Sequence, residues 1–249
     1  MHVVLKKKYS QNFLTDKNIL NKIANLVDIN LSNILEIGPG SGNLTELILK
    51  TYPENLLIIE IDKDLIKSLK SKFFQNKNLI ILNEDILKNK LILNFKFDLI
   101  ISNLPYNISS KILVKIMSSN FRPKKMILMF QKEFALRLLS KNLNSLNSLV
   151  NSFYNIKLKF NVSRNSFIPI PKVDSSVLEF IELENYLLEE NEIESFIIFK
   201  RDIFNKKRKK LRSVLKSKYS IINNLDIDLN SRAEDLNLKK FIEIFRLIT

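Results

Sequence analysis

Glu36-Ile37-Gly38-Pro39-Gly40-Ser41-Gly42 contains every glycine in a chain of 249 residues. A sequence with only three glycines has placed them where the backbone must take a positive φ or approach another group closely. The apolar run Ile34–Ile37 before the turn reads as a strand, and Leu44–Lys50 after it reads as a helix. A strand, a glycine turn and a helix in that order form the phosphate- or nucleotide-facing corner of an open α/β sheet. The spacing is G-x-G-x-G, not the G-x-G-x-x-G of dinucleotide sites.

Outward from this turn the alternation continues. Strands are expected at Leu56–Ile61, Leu79–Leu82, Phe97–Ser102 and Met126–Phe130. Helices are expected at Asp64–Phe74, at Ser109–Met117 and from the end of the Met126–Phe130 strand through Leu139. Two further strands fall near Asn155–Val162 and Ser175–Glu182. Such alternation predicts an α/β fold with a mainly parallel, doubly wound sheet. After Glu182 the pattern changes to helices: Phe196–Phe204 is apolar on one side, Lys206–Lys218 is intensely basic, and Leu236–Leu247 is amphipathic. We therefore place a catalytic domain at 1–182 and a small all-α domain at 183–249.

Ligands of such sheets bind at the carboxyl ends of the strands. Glu60, about 20 positions past the glycines, suits the two hydroxyls of a ribose, and Asp62 suits the cap of the next helix. Asp85 is either an acceptor for an adenine amino group or a surface loop acid. The fourth strand ends in Asn103-Leu104-Pro105-Tyr106. An exocyclic adenine amine is a weak nucleophile, because its lone pair is delocalised into the ring. The Asn103 side-chain oxygen, with the carbonyl of Leu104 or Pro105, can accept its two N–H bonds. That arrangement aims the lone pair and stabilises the charge developing on nitrogen. Pro105 stiffens the turn, and Tyr106 offers a face to an extruded base.

Composition narrows the chemistry. The chain has no cysteine and one histidine, His2, which reads as solvated tail. Disulfides, cysteine nucleophiles, histidine triads and cysteine- or histidine-based metal sites are thereby disfavoured, and no metal is expected. The hard chemistry is expected from a cofactor. Forty Lys and Arg against 26 Asp and Glu leave a net charge of +14, which favours a polyanionic partner. No apolar run approaches the roughly 20 residues of a membrane span, and Met1–Lys8 does not read as a signal peptide. A cytoplasmic protein without membrane contact is expected. No long apolar interface stripe is evident, so the expected state is a monomer.

The sequence resembles the RNA adenine N6-dimethyltransferases: the bacterial small-subunit (16S) rRNA enzymes, their eukaryotic and mitochondrial relatives, and the erythromycin-resistance enzymes. The resemblance covers nearly the whole chain. It rests on Gln11-Asn12-Phe13-Leu14, the Glu36–Gly42 turn, Glu60, Asp85, Asn103–Tyr106, Gln131-Lys132-Glu133 and Phe167-Ile168-Pro169-Ile170-Pro171-Lys172-Val173-Asp174-Ser175. Ser10 departs from the glycine that many members carry there. The resemblance implies a Rossmann-like class I methyltransferase sheet with S-adenosyl-L-methionine as cofactor. It implies cofactor contacts from Asn12, Leu14, Gly38, Glu60, Asp85 and Asn103, joined by Gly40 of the turn. It also implies that Phe167 holds the target adenine opposite Tyr106; alternatively Phe167 is a core aromatic ahead of a rigid Pro-x-Pro loop.

Lys200 to Arg212 contains eight Lys or Arg among thirteen residues, with Asp202 the single acid. Such density repels itself unless phosphates neutralise it. Lys206, Lys207, Arg208, Lys209, Lys210 and Arg212 are therefore expected to contact RNA. Arg122, Lys124 and Lys125 are candidates for the same surface. The basic run resembles the small-subunit branch, which implies two adjacent adenines in a hairpin loop near the 3′ end of 16S rRNA as substrate. Two other readings stay open: a DNA adenine methyltransferase, and a ribosome-assembly or transcription factor that keeps the fold as a binding module.

Overall fold

The structure, a computed structural model, describes residues 12–27, 33–90, 95–206, 208–215 and 227–249. His2, Ser10, Gln11 and Lys207 lie outside the described residues. The chain divides into two compact units, Met1–Ala135 with Ile156–Glu182, and Leu136–Asn155 with Leu183–Thr249.

The first unit is built on a seven-stranded sheet. Its strands are β2 (Asn33–Ile37), β3 (Asn55–Glu60), β4 (Leu79–Asn83), β5 (Leu99–Asn103), β6 (Lys125–Gln131), β7 (Tyr154–Val162) and β9 (Ser175–Glu182). Their order across the sheet is β4-β3-β2-β5-β6-β9-β7. The strands from β4 to β6 pair in parallel, and β9 runs antiparallel to β6. β2, β5 and β6 are near-continuous apolar runs with buried centres, as a sheet covered on both faces requires. Ile34, Leu56, Ile58, Leu99, Ile101, Ile127 and Met129 form the middle of one core cluster.

The helices α2 (Asn43–Leu49), α3 (Lys63–Lys72), α4 (Ser109–Met117) and α5 (Lys132–Leu139) follow β2, β3, β5 and β6. Asp62 caps α3 by accepting from Asp64 N at 3.0 Å. Two elements go beyond the sequence pattern. Helix α1 (Lys17–Ala24) is capped by Asp16, which accepts from Asn18 N and Ile19 N. A two-stranded ladder joins β1 (Phe13–Leu14) to β8 (Phe167–Ile168), with Phe13 opposite Ile168 and Leu14 opposite Phe167.

The second unit contains α6 (Asn147–Val150), α7 (Ile193–Asn205), α8 (Leu211–Val214) and α9 (Leu238–Ile248). Phe196 and Phe199 of α7 pack their rings on Phe241 and Phe245 of α9, with centroids 5.1–5.8 Å apart. Leu136–Asn155 joins this unit, which the expected division at residue 183 did not include. Long-range bonds hold it there. Leu143 N donates to the Glu234 carbonyl at 2.9 Å, Leu187 N to the Ser152 carbonyl at 3.0 Å, and Lys200 Nζ to the Ser145 carbonyl at 2.6 Å. Among the described residues, no helix is long and apolar enough to cross a membrane.

Candidate active site

The carboxyl ends of β2, β3, β4 and β5 converge on a solvent-open cleft. The sheet reverses its strand order between β2 and β5, and such a reversal opens a crevice for a ligand. Asn12, Leu14, Gly38, Gly40, Glu60, Asp85, Asn103, Leu104, Pro105 and Tyr106 all line the cleft.

The three glycines perform different tasks, although all have positive φ. Gly38 sits against the Pro105 ring, 3.8 Å from where a Cβ would lie. At Gly40 a Cβ would fall 2.7 Å from the Phe13 ring, so only glycine lets β1 close over the turn. Gly42 caps α2 and does not line the cleft. A Cβ there would fall 2.8 Å from Leu69 and Phe73, so this glycine serves helix packing.

Glu60 is buried, and its carboxylate holds the corner together. One oxygen accepts from Gly40 N at 3.3 Å and the other from Asp62 N at 2.9 Å. Each oxygen keeps a lone pair for a further donor. Burial raises its pKa, opposed by backbone bonds from Asp62, Gly40 and Ile61. Asp85 is half-buried and accepts from Leu87 N at 2.9 Å through one oxygen, leaving the other for a ligand. Lys115 of α4 donates to the Leu87 carbonyl at 2.9 Å and fixes the same loop.

The Asn103 side-chain NH₂ donates to the Asn12 carbonyl at 3.1 Å. That bond fixes the amide so that Oδ1 remains the side chain's acceptor. The Pro105 carbonyl accepts from Ile108 N at 3.2 Å and from Ser109 Oγ at 3.0 Å, so its lone pairs are engaged. Of the two backbone acceptors left open by the sequence, this favours the Leu104 carbonyl. The Tyr106 hydroxyl bonds to Ser175 Oγ at 2.6 Å, which sets the ring's orientation. Burial raises its pKa, and the phenol stays protonated.

Phe167 is placed apart from the other candidates. It is 0% exposed, belongs to the core cluster with Leu14, Leu20 and Val162, and does not line the cleft. Across the β1–β8 ladder it stands opposite Leu14, which lines the cleft. This burial supports the alternative reading, a core aromatic before a Pro-x-Pro loop. Sequence reasoning also missed cleft residues. Ile61, 41% exposed, and buried Ile86 give apolar walls beside Glu60 and Asp85. Each follows the acid that was singled out, and strand-end position was the available signal.

Glu36 is a further carboxylate in the cleft lining, buried on β2, and it accepts from Thr45 Oγ1 at 2.6 Å. Its pKa is pushed up to about 8 by burial, with the Thr45 bond pulling down and the Glu60 carboxylate adding to the rise. The unfolded chain ionises this group near 4.5. Between those values the folded protein holds a proton the unfolded chain lacks. Its contribution to stability is therefore complete below 4.5 and lost as pH rises through about 8. Glu36→Gln, which can still accept from Thr45, is expected to flatten the dependence of the melting temperature on pH across that window. The gain over wild type should be largest at the alkaline end. A variant with unchanged pH dependence in thermal scans would contradict the assignment.

In the second unit, Lys206, Arg208, Lys209, Lys210 and Arg212 are exposed. The expected basic helix is corrected here. α7 ends at Asn205, Arg208 takes φ 67°, and α8 begins only at Leu211. Successive like charges one helical turn apart disfavour a helix. Lys200, counted in the same run, is 4% exposed and bonded to Ser145, so it offers nothing to a phosphate.

A class follows from these features. The cleft lies at the strand ends, where sheets of this kind bind nucleotides. Its glycine corner excludes side chains, its strand-end acids can accept from ribose and adenine, and an amide oxygen is held for an amine. S-adenosylmethionine fits this donor and acceptor set, and the protein is a class I S-adenosylmethionine-dependent methyltransferase. Residues 3–249 match the family model described as ribosomal RNA adenine dimethylase. A relative in Mycoplasma mycoides subsp. mycoides, named ribosomal RNA small subunit methyltransferase A, is 38% identical over 98% of this chain and 97% of its own. One of the same name in Mycoplasma capricolum subsp. capricolum is 39% identical over 98% and 97%. The crystal structure of a dimethyladenosine transferase from Plasmodium falciparum superposes with a TM-score of 0.78 at 28% identity, covering 93% of this chain and 95% of that one. The chain belongs to the ribosomal RNA adenine dimethylase family.

Proposed function

We propose that this enzyme dimethylates the N6 amino groups of two adjacent adenosines in a hairpin loop near the 3′ end of 16S rRNA. Its substrate is the small ribosomal subunit or a precursor of it, and it acts in small-subunit biogenesis as a cytoplasmic monomer. The observation that carries this reading is the Asn103 amide, whose NH₂ group is engaged by the Asn12 carbonyl at 3.1 Å so that Oδ1 is left for an amine. The names of the bacterial relatives support the small subunit as the particle recognised.

Glu60 and Asp85 bind the cofactor's ribose and adenine, with Gly38 and Gly40 admitting it to the corner and Asn12 and Leu14 forming the wall. S-adenosylmethionine supplies an activated methyl group on its sulfonium. The Asn103 Oδ1 and the Leu104 carbonyl accept the two N–H bonds of the target amine. They thereby localise its lone pair and stabilise the positive charge that grows on nitrogen. Tyr106, fixed through Ser175, packs on the base, and Pro105 keeps the turn rigid. No acid–base side chain is needed, because the methylated amine is acidic enough to lose its proton to water.

Lys206, Lys207, Arg208, Lys209, Lys210 and Arg212 are assigned to RNA phosphates, which position the substrate without reading its sequence. Converting Lys206, Lys207, Lys209 and Lys210 together to Gln is expected to weaken subunit binding. The slope of log K against log salt should become shallower by about 0.7 for each phosphate that is no longer neutralised. Binding measured across a salt series would refute the assignment if the slope did not change.

The direct test is transfer of labelled methyl groups to small subunits from a strain lacking this modification, followed by nucleoside analysis. Dimethyladenosine in the small-subunit RNA is the expected product. Intact cofactor binding without transfer to that particle would overturn the substrate assignment.

A further inference from the structure

The segment between β8 and β9 has a feature that the chemistry described above leaves unused. Ile168, Ile170 and Val173 are 59%, 62% and 42% exposed, three aliphatic side chains within six residues of one loop. Clustered exposed apolar side chains mark interaction sites more often than scattered ones do. The tip is rigid. Pro169 and Pro171 fix φ at two positions and remove two N–H donors. Asp174 accepts from Arg164 N at 2.9 Å, and its carbonyl accepts from Lys132 N at 2.9 Å. Both feet of the loop stand on residues of the cleft. Ile168 pairs with Phe13, and Ser175 bonds to the Tyr106 hydroxyl. The exposed cations Arg164 and Lys172 flank the tip, with Arg164 Nη1 3.5 Å from the Lys172 carbonyl.

We propose that Ile168, Ile170 and Val173 form an apolar wedge that packs against the nucleobases beside the target adenine, while Arg164 and Lys172 meet the adjoining phosphates. This inference rests on the reading of an RNA hairpin loop as substrate. An adenine drawn into the cleft leaves its neighbours unstacked. Aliphatic side chains inserted at such a step replace the lost stacking and hold the strand open. The partner must present apolar faces together with anionic groups a few ångströms away. A nucleotide does both, and the tip adjoins the pocket that takes the target base.

The test uses the full-length double variant Ile168→Ser/Ile170→Ser, with undermethylated small subunits as acceptor. The expected result is a fall in kcat/KM of about tenfold or more. Cofactor affinity, melting temperature and the salt slope of subunit binding should be unchanged, because the wedge carries no charge. Ile170→Leu should behave like wild type. Wild-type kcat/KM in the double variant would overturn the wedge, as would a loss of cofactor affinity in step with kcat/KM, which would show the tip shaping the cleft instead. If wild-type enzyme itself left the subunits unmethylated, the substrate reading would fall and the wedge with it; an active wild type beside an unaffected variant would remove the wedge alone.

Discussion

Asn103→Ala is expected to cut kcat by about 10²–10³-fold while leaving RNA binding near the wild-type level. The reason lies in two bonds from one amide. Its NH₂ group donates to the Asn12 carbonyl and so holds Oδ1 as the side chain's acceptor. Alanine removes the acceptor that the growing charge on N6 requires, and no neighbour replaces it. Asn103→Asp separates the two roles. It keeps an acceptor but sets a carboxylate against the Asn12 carbonyl, so it too should be severely impaired. Single-turnover transfer at saturating subunit and cofactor measures the effect, and wild-type transfer by Asn103→Ala would refute the assignment.

Glu60→Ala is expected to weaken S-adenosylmethionine binding by about 100-fold. The lost carboxylate would leave Gly40 N and Asp62 N without their acceptor, at about 1–3 kcal/mol for each buried donor. The ribose hydroxyls would lose their partner at the same time. Isothermal titration with the cofactor reads this directly. Glu60→Gln retains one carbonyl acceptor and should fall between the two. Equal affinity in wild type and Glu60→Ala would show that the carboxylate serves the turn alone.

Much of this site was legible because its signals are local. Three glycines in five positions, an acid at the end of β3 and a polar turn at the end of β5 can be read within a few residues of each element. What escaped depends on pairings across long stretches of chain. The two-residue strands β1 and β8 have no period to detect, yet their ladder sets Phe167 opposite Leu14. Lys200 looked like one more surface cation until Ser145, 55 residues away, supplied its partner. Arg122 and Lys125 resembled an RNA-facing patch for the same reason. Arg122 is instead buried and donates to the Met117 carbonyl, and Lys125 joins Glu179 at 3.1 Å and the Leu26 carbonyl at 2.7 Å. Charge density indicates a surface only when the fold supplies no internal acceptor.

The position of β9 between β6 and β7 has a consequence for synthesis on the ribosome. β7 emerges before β9 yet sits outside it, so it cannot join the sheet when it is made. Until Ser175–Glu182 leaves the exit tunnel, the edge of β6 stands open and β7 waits unpaired. Unpaired edges invite association between chains. The vulnerable interval of translation therefore opens once β6 is complete and closes with β9, and a chaperone would be needed most while that span is being decoded.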